Sequence, residues 1–358
     1  MTTFIQLHLL TPYPASNLNR DDTGSPKTVK FGGADRLRVS SQSLKRAIRT
    51  SDLFADAVGA NRGTRSQIFA RALVEELKQR GLDEKAAIER ARSAIEVDAL
   101  GKLKKDAAET EQLVHLGPDE LERLAALAGA LAEGKELDKK ATLVLVEKPK
   151  AVDIAMFGRM LADNPGYNVE AAVQVAHAFT THRVTIEDDY YTAVDDLKNA
   201  DRTEDRGAGF IGIQEFGAGL FYTYVCIDAD LLVGNLSGDK ALAKAAAAAF
   251  IEAAAKVSPK GKQNSYASRS RAIYVMGEAG PEAPRTLASA FMKPVVADSA
   301  DADIVALSIW RIETLRKQFA SAYGDAPEQL KVMDVAKGEG TLADVIKLAT
   351  EAIDGVGA

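Results

Sequence analysis

Apolar and polar residues alternate from Phe4 to Leu10, with Ile5, Leu7 and Leu9 on one side and Phe4, Gln6 and His8 on the other. A period of two predicts a half-buried β-strand. Leu37 to Ser40 reads as a short strand edge, after a Phe31-Gly32-Gly33 loop where the backbone needs positive φ or close approach to another group. The period then lengthens. Ser40 and Ser41 are natural N-caps, and at about 100° per residue Gln42, Lys45, Arg46 and Arg49 share one helical face while Leu44, Ala47 and Ile48 share the opposite one. This helix is expected to reach about Val58.

From about residue 60 to 180 the chain turns to Ala, Glu, Lys and Leu, and runs such as Gln67 to Gln79 and Pro118 to Glu133 keep helical periodicity. They predict a helical insertion. Strand-like patterns return at Leu220 to Ile227 and Ala272 to Met276, on either side of an Ala-rich helix from about Asp239 to Val257. Periodicity alone therefore gives a mixed α and β chain with a helical insert. Its order of elements is also that of a split βαβ fold, the ferredoxin-like or RNA-recognition-motif plan, whose sheet commonly binds single-stranded RNA.

Composition narrows the class. The chain has 358 residues, 46% hydrophobic and 27% charged, which suits a main domain with a large insertion or a second domain. Cys226 is the sole cysteine, which excludes an intramolecular disulfide or a cysteine-rich metal site and fits a reducing, cytoplasmic setting. The opening MTTFIQLHLL lacks a basic n-region, and no apolar run approaches the roughly 20 residues of a membrane helix, so no membrane partner is expected.

Charge changes the picture more. The net charge is −6, yet Asn19 to Arg49 holds eight Lys or Arg against three Asp. A basic island on an acidic chain attracts phosphate, and amide and cationic side chains near the exposed amides of a helix N-terminus suit a phosphodiester backbone. The plainer reading of the same pattern is a solvated amphipathic helix.

Other motifs carry less. Gly207 to Gly212 spells GxGxxG, but a polar run precedes it and an extended pattern follows, which is the wrong setting for a dinucleotide turn. Phe210, Ile211 and Ile213 are apolar within this loop and suit either insertion into a partner or packing within a hairpin. His8, His115, His177 and His182 have no zinc spacing, no cofactor or metal site is expected, and no catalytic constellation stands out. Lys135, Lys139, Lys140, Lys148 and Lys150 form either a basic ridge on the insertion or a solvated face.

The run LNRDD, then FGG, then RLRVSSQSLKRAIR resembles the opening of the CasC-type backbone subunit of the type I-E Cascade CRISPR surveillance complex. VDIAMFGRM (Val152 to Met160), AHAFTTH (Ala176 to His182), YYTAVDDL (Tyr190 to Leu197) and QEFGAGLFY (Gln214 to Tyr222) follow in the family order, and the last third matches through Lys262, Gln263, Tyr266 and Ala267. The resemblance implies an α+β fold: a modified RNA-recognition-motif (ferredoxin-like) palm over 1–58 and 223–358, a helical finger inserted at 59–180, and a thumb hairpin at 181–222.

It also implies a non-catalytic scaffold that polymerises head to tail along a CRISPR RNA, kinks it at intervals and presents it to complementary target DNA beside other Cascade subunits. Guide phosphates would fall to Arg20, Lys27, Ser40, Gln42, Lys45 and Arg49, and Arg46 joins them through its place on the same helical face. Met160 matches a methionine that wedges beside the guide at the kink. Tyr190, Tyr191 and Thr192 match the thumb base, and Phe210 and Ile211 the thumb's partner contacts.

Asp35 departs from the family, which is basic there, and related type III backbone subunits cut target RNA through an aspartate near this place. No second ligand accompanies it in sequence, and an ion pair with Arg36 or Arg38 is the plainer expectation. A type III-like RNA-cleaving subunit and a stand-alone single-strand RNA-binding protein are the two alternatives.

Overall fold

The computed structural model describes residues 2–96, 100–104, 108–133, 143–193, 210–298, 303–325 and 329–357. Eleven strands occur among them: β1 (Phe4–Ser16), β2 (Thr28–Phe31), β3 (Ala34–Val39), β4 (Thr64–Ser66), β5 (Val114–Leu116), β6 (Val173–Val175), β7 (Ala178–Thr180), β8 (Glu187–Ala193), β9 (Phe210–Asp228), β10 (Tyr274–Gly280) and β11 (Gln329–Asp334). Nine of them form one sheet in the order β11-β10-β1-β9-β7-β3-β2, with β6 and β8 also paired to β9. Every pairing is antiparallel. The fold is α+β, with β4 and β5 forming a separate pair.

β1 is buried on both faces, where its alternation predicted burial on one. Ile5, Leu7 and Leu9 join Val225, Val275, Phe250 and Leu348 in the main core, under the helices Lys240–Lys256 and Leu342–Asp354. Leu10 shares the opposite face with Tyr222, Tyr274 and Met276, under the helix Ile304–Tyr323 and Phe291.

Gln6 and His8 are polar and buried beneath this second layer because each has a partner there. Gln6 accepts from the Tyr224 hydroxyl at 2.8 Å, and His8 Nδ1 lies 2.8 Å from the Tyr222 hydroxyl. Glu278 sits between His8 at 3.4 Å, Arg285 at 3.0 Å and Arg316 at 2.5 Å. The part of the sheet where a free face would stack RNA bases is thus closed by protein.

The basic helix is two helices, not one reaching Val58. Ser41–Arg49 begins at Ser40, whose hydroxyl accepts the Ser43 amide at 3.3 Å. It stops at Thr50, and Ser51 caps a new helix, Asp52–Val58, by accepting the Phe54 amide at 3.2 Å. Serine and threonine hydroxyls compete with the helical ladder in this way, and two of them in succession break it.

Between Phe69 and Leu161 a second cluster of buried side chains, including Leu73, Leu77, Ala91, Leu116, Leu124 and Leu145, forms a core of its own. The helices Phe69–Gln79, Glu84–Glu96 and Pro118–Ala132 supply most of it. β8 and the first half of β9 pair from Glu187↔Phe216 to Ala193↔Phe210 as a hairpin, with β8 exposed throughout. Phe210 to Gly212 therefore lie in a strand, not a loop, and no helix follows them, which removes the dinucleotide reading; Gly207 to Gly209 lie outside the described residues. No helix among the described residues is long and apolar enough to cross a membrane.

Candidate nucleic-acid interface

The helix Ser41–Arg49 lies between two grooves, and Arg46 lines both. Its buried residues Ala47 and Ile48 face the core, which turns Gln42 and Arg46 to solvent. One groove, of about 350 Å³, brings Gln42, Lys45, Arg46 and Arg49 opposite Arg65, Leu113, His115 and Met160. The other, of about 400 Å³, brings Arg20, Ser43, Arg46 and Thr50 together with Lys260, and also holds Asp21. Asp21 is engaged locally: its carboxylate accepts from the Thr23 hydroxyl at 2.8 Å and from the Thr23 and Ser25 amides, which hold its pKa down.

The cations differ in how they are held. Lys45 lies 5.8 Å from the Phe157 ring centroid, and partial burial lowers its ammonium pKa. An arriving phosphate would restore the charge stabilisation that burial removes. Arg49 reaches Asp153 at 3.3 Å, and the same buried carboxylate takes the Gly63 amide at 2.7 Å and lies 3.0 Å from His115 Nε2. Burial alone would raise the Asp153 pKa, but His115, Gly63 and Arg49 together hold it below the ordinary value. Arg49, which lines the groove, is thereby tied to Asp153 and His115.

Met160 is 82% exposed, so it is not filling the core. Gly158 turns the chain at φ +79, where a Cβ would crowd the Val169 carbonyl at 2.9 Å. Next to it, Arg159 is buried: it meets the Glu120 carboxylate at 2.7 Å, donates to the Val146 and Tyr167 carbonyls, and exchanges backbone hydrogen bonds of 2.9 Å with Val169. A thioether is thus held out over the groove by a rigid anchor directly beneath it.

The remaining expected residues are placed elsewhere. Ser40 is buried at the helix cap, and its amide donates to Asn19 Oδ1 at 2.9 Å. Lys27 lines neither groove and sits at the β2–β3 hairpin, where its charge acts on His177. Tyr190 and Ile213 are cross-strand neighbours on the β8–β9 hairpin, 63% and 68% exposed. Tyr191 opposes Gly212 and Thr192 opposes Ile211; of Phe210 and Ile211 only the backbone is described. Lys148 and Lys150 are exposed, while Lys135, Lys139 and Lys140 lie outside the described residues.

Asp35 does not make the ion pair expected of it. Arg36 is fully buried and turns the other way, donating to the Thr180 and Phe291 carbonyls at 2.8 and 2.9 Å. Arg38 bonds His177 and the Thr28 carbonyl instead, and Asp35 opposes Lys30 across the hairpin. Among the described residues, no three His, Cys, Asp or Glu side chains are grouped to hold a metal ion. His182 has a structural part: its Nε2 accepts from the Leu220 amide at 3.2 Å, which leaves Nδ1–H to donate to the Arg183 carbonyl at 2.9 Å.

Arg65, Leu113, His115 and Lys260 line the grooves without having been marked by sequence patterning. Arg65 and His115 are direct cross-strand partners on β4 and β5. A lone basic residue in a polar stretch gives no signal until the fold brings it opposite the basic helix.

Residues 5–355 match the model of the CT1975-like protein family. Among solved structures, the chain is similar to one described as a CRISPR RNA-guided surveillance complex, pre-nicking, with 30% identity and a TM-score of 0.82, covering 98% of this chain and 100% of that one. It is also similar to a second, described as a CRISPR RNA-guided surveillance complex, with 27% identity and a TM-score of 0.71, covering 98% and 99%. No curated protein matches it.

Proposed function

The chain belongs to the CT1975-like protein family, and we propose that it is a guide-RNA-binding subunit of a CRISPR surveillance complex, of type I-E character. In this reading it is a non-catalytic scaffold. Copies pack head to tail along a CRISPR RNA, an arrangement that yields an open helical filament when the rotation between neighbours does not close. Its cations grip phosphates, and sequence is left to base pairing between the guide and complementary target DNA.

The observation that carries the reading is the pair of cationic grooves flanking Ser41–Arg49, one of them rimmed by the outward-held Met160. Cations on both walls suit a chain of phosphates running past the helix, and an exposed thioether at the rim suits a wedge beside a displaced nucleotide. The hairpin carrying Tyr190 and Ile213 supplies apolar side chains for a neighbouring copy or for that nucleotide.

Domain roles follow the same reading. The order β10-β1-β9-β7, with Lys240–Lys256 between β9 and β10, supports a ferredoxin-like, RNA-recognition-motif palm over 1–58 and 223–358. The separate core between Phe69 and Leu161 supports a finger at 59–180, and the β8–β9 hairpin supports a thumb at 181–222.

The test is to purify the protein from its host and sequence the RNA bound to it. Uniform repeat-derived guides with co-purifying partner subunits are the expected outcome. Mixed cellular RNA, or none, would contradict the reading.

A further inference from the structure

The second face of the sheet, covered by Ile304–Tyr323 over β10, β1 and β9, emerges uncovered at its other end. There β7, β3 and the edge strand β2 form an open groove of about 490 Å³ lined by Thr28, Val29, Phe31, Arg38, His177 and Phe179. Its floor is aromatic, with the Phe31 and Phe179 rings 5.0 Å apart.

Its rim is cationic and fixed. Arg38 Nε donates to the Thr28 carbonyl at 3.3 Å, and Arg38 Nη1 lies 2.7 Å from His177 Nδ1. A guanidinium can only donate, so His177 Nδ1 accepts and the ring proton sits on Nε2. Partial burial, with Arg38 and Lys27 adding their charge, lowers the His177 pKa. None of the lining residues is acidic.

We propose that this groove is a nucleobase subsite for the guide RNA: one base stacks over the Phe31–Phe179 floor, His177 Nε2–H donates to its edge, and Lys27 and Arg38 meet the adjoining phosphate. The proposal rests on the guide-binding reading and adds a site distinct from the grooves beside Ser41–Arg49. Charge complementarity selects the occupant. An apolar segment of a protein would fill the floor and leave two cations uncompensated, whereas a nucleotide supplies both a π-face and an anion.

The experiment irradiates the full chain loaded with a guide RNA carrying 4-thiouridine and maps the crosslinked peptides. Adducts on the peptides holding Phe31 or His177 are expected. Phe31→Leu keeps an apolar filling, and His177→Ala removes the ring donor together with the hydrogen bond that Arg38 makes to Nδ1; each is expected to reduce those adducts and weaken guide binding about tenfold, within the range measured for loss of one base stack.

RNA adducts confined to the groove around Met160, or unchanged affinity in both variants, would overturn the subsite alone. Crosslinks from this groove to a neighbouring copy in place of RNA would do the same. Absence of any RNA binding would instead overturn the guide-binding reading on which the site rests.

Discussion

Arg49 and Asp153 stand 104 residues apart in the chain and 3.3 Å apart in the fold. With His115 at the same carboxylate oxygen, Asp153 ties the basic helix to the residues that form the opposite wall of the groove. Removing one partner of a buried ion pair leaves uncompensated charge and costs about 3–5 kcal/mol. Asp153→Ala is therefore expected to lose stability of that order in urea unfolding, with Asp153→Asn losing less because it still accepts the Gly63 amide. Equal, small losses would show that the carboxylate does not hold the two walls together.

Glu278 sets the response to acid. Burial alone would raise its pKa, but the neighbouring His8 and hydrogen bonds from Arg285 and Arg316 bring it down to about 2 from the ordinary 4.5. A depressed pKa gives stability that is fully present above about 4.5 and is lost as pH falls towards 2. The contribution is on the order of 3 kcal/mol at about 1.4 kcal/mol per unit. Unfolding free energy measured across that window should fall steeply in the native chain and more shallowly in Glu278→Gln, which is less stable at neutral pH. Parallel curves would remove Glu278 from the account.

Met160 and Arg159 are adjacent with opposite roles. Met160→Ala, at an 82% exposed site, is expected to change stability by no more than about 0.5 kcal/mol. Loss of a wedge at this position should still alter the chemical reactivity of the guide bases beside it. Arg159→Ala strands the buried Glu120 carboxylate and is expected to cost about 3–5 kcal/mol. Thermal unfolding paired with base-reactivity probing separates the two; a Met160 variant that loses guide affinity without changing base reactivity counts against the wedge.

Gly32 and Gly33 make the two-residue turn between β2 and β3, at φ +60 and +76. A Cβ at Gly32 would strike the Met292 carbonyl oxygen, whereas Gly33 has open space around it. Gly32→Ala should destabilise by more than about 1 kcal/mol, and Gly33→Asn should be nearly neutral because asparagine tolerates positive φ. Equal effects, read by thermal unfolding, would contradict the close approach.

What was legible in the sequence was local. The face of Gln42, Lys45, Arg46 and Arg49 follows from a 3.6-residue period, and the Gly32-Gly33 turn from residue type. The polar face of β1 is buried against its alternation because Gln6 accepts from Tyr224 and His8 bonds Tyr222 and lies beside Glu278, all more than 200 residues away. Arg65 and His115 stayed invisible for a related reason: they become groove residues only when the insertion folds back against the basic helix through Asp153. The helix break at Thr50 and Ser51 overrode a continuous pattern through hydroxyl capping that periodicity does not register.

The most direct test of guide-backbone binding is affinity for two guide RNAs of unrelated sequence, measured over a range of salt, in the native chain and in a Lys45→Ala, Arg46→Ala double variant. For single strands the slope of log K against log salt is about −0.7 per neutralised phosphate. The double variant should weaken both guides equally and make the slope shallower by about 0.7 per cation removed. Unchanged affinity and slope, or a loss on one sequence only, would contradict a grip on the RNA backbone by this face of the helix.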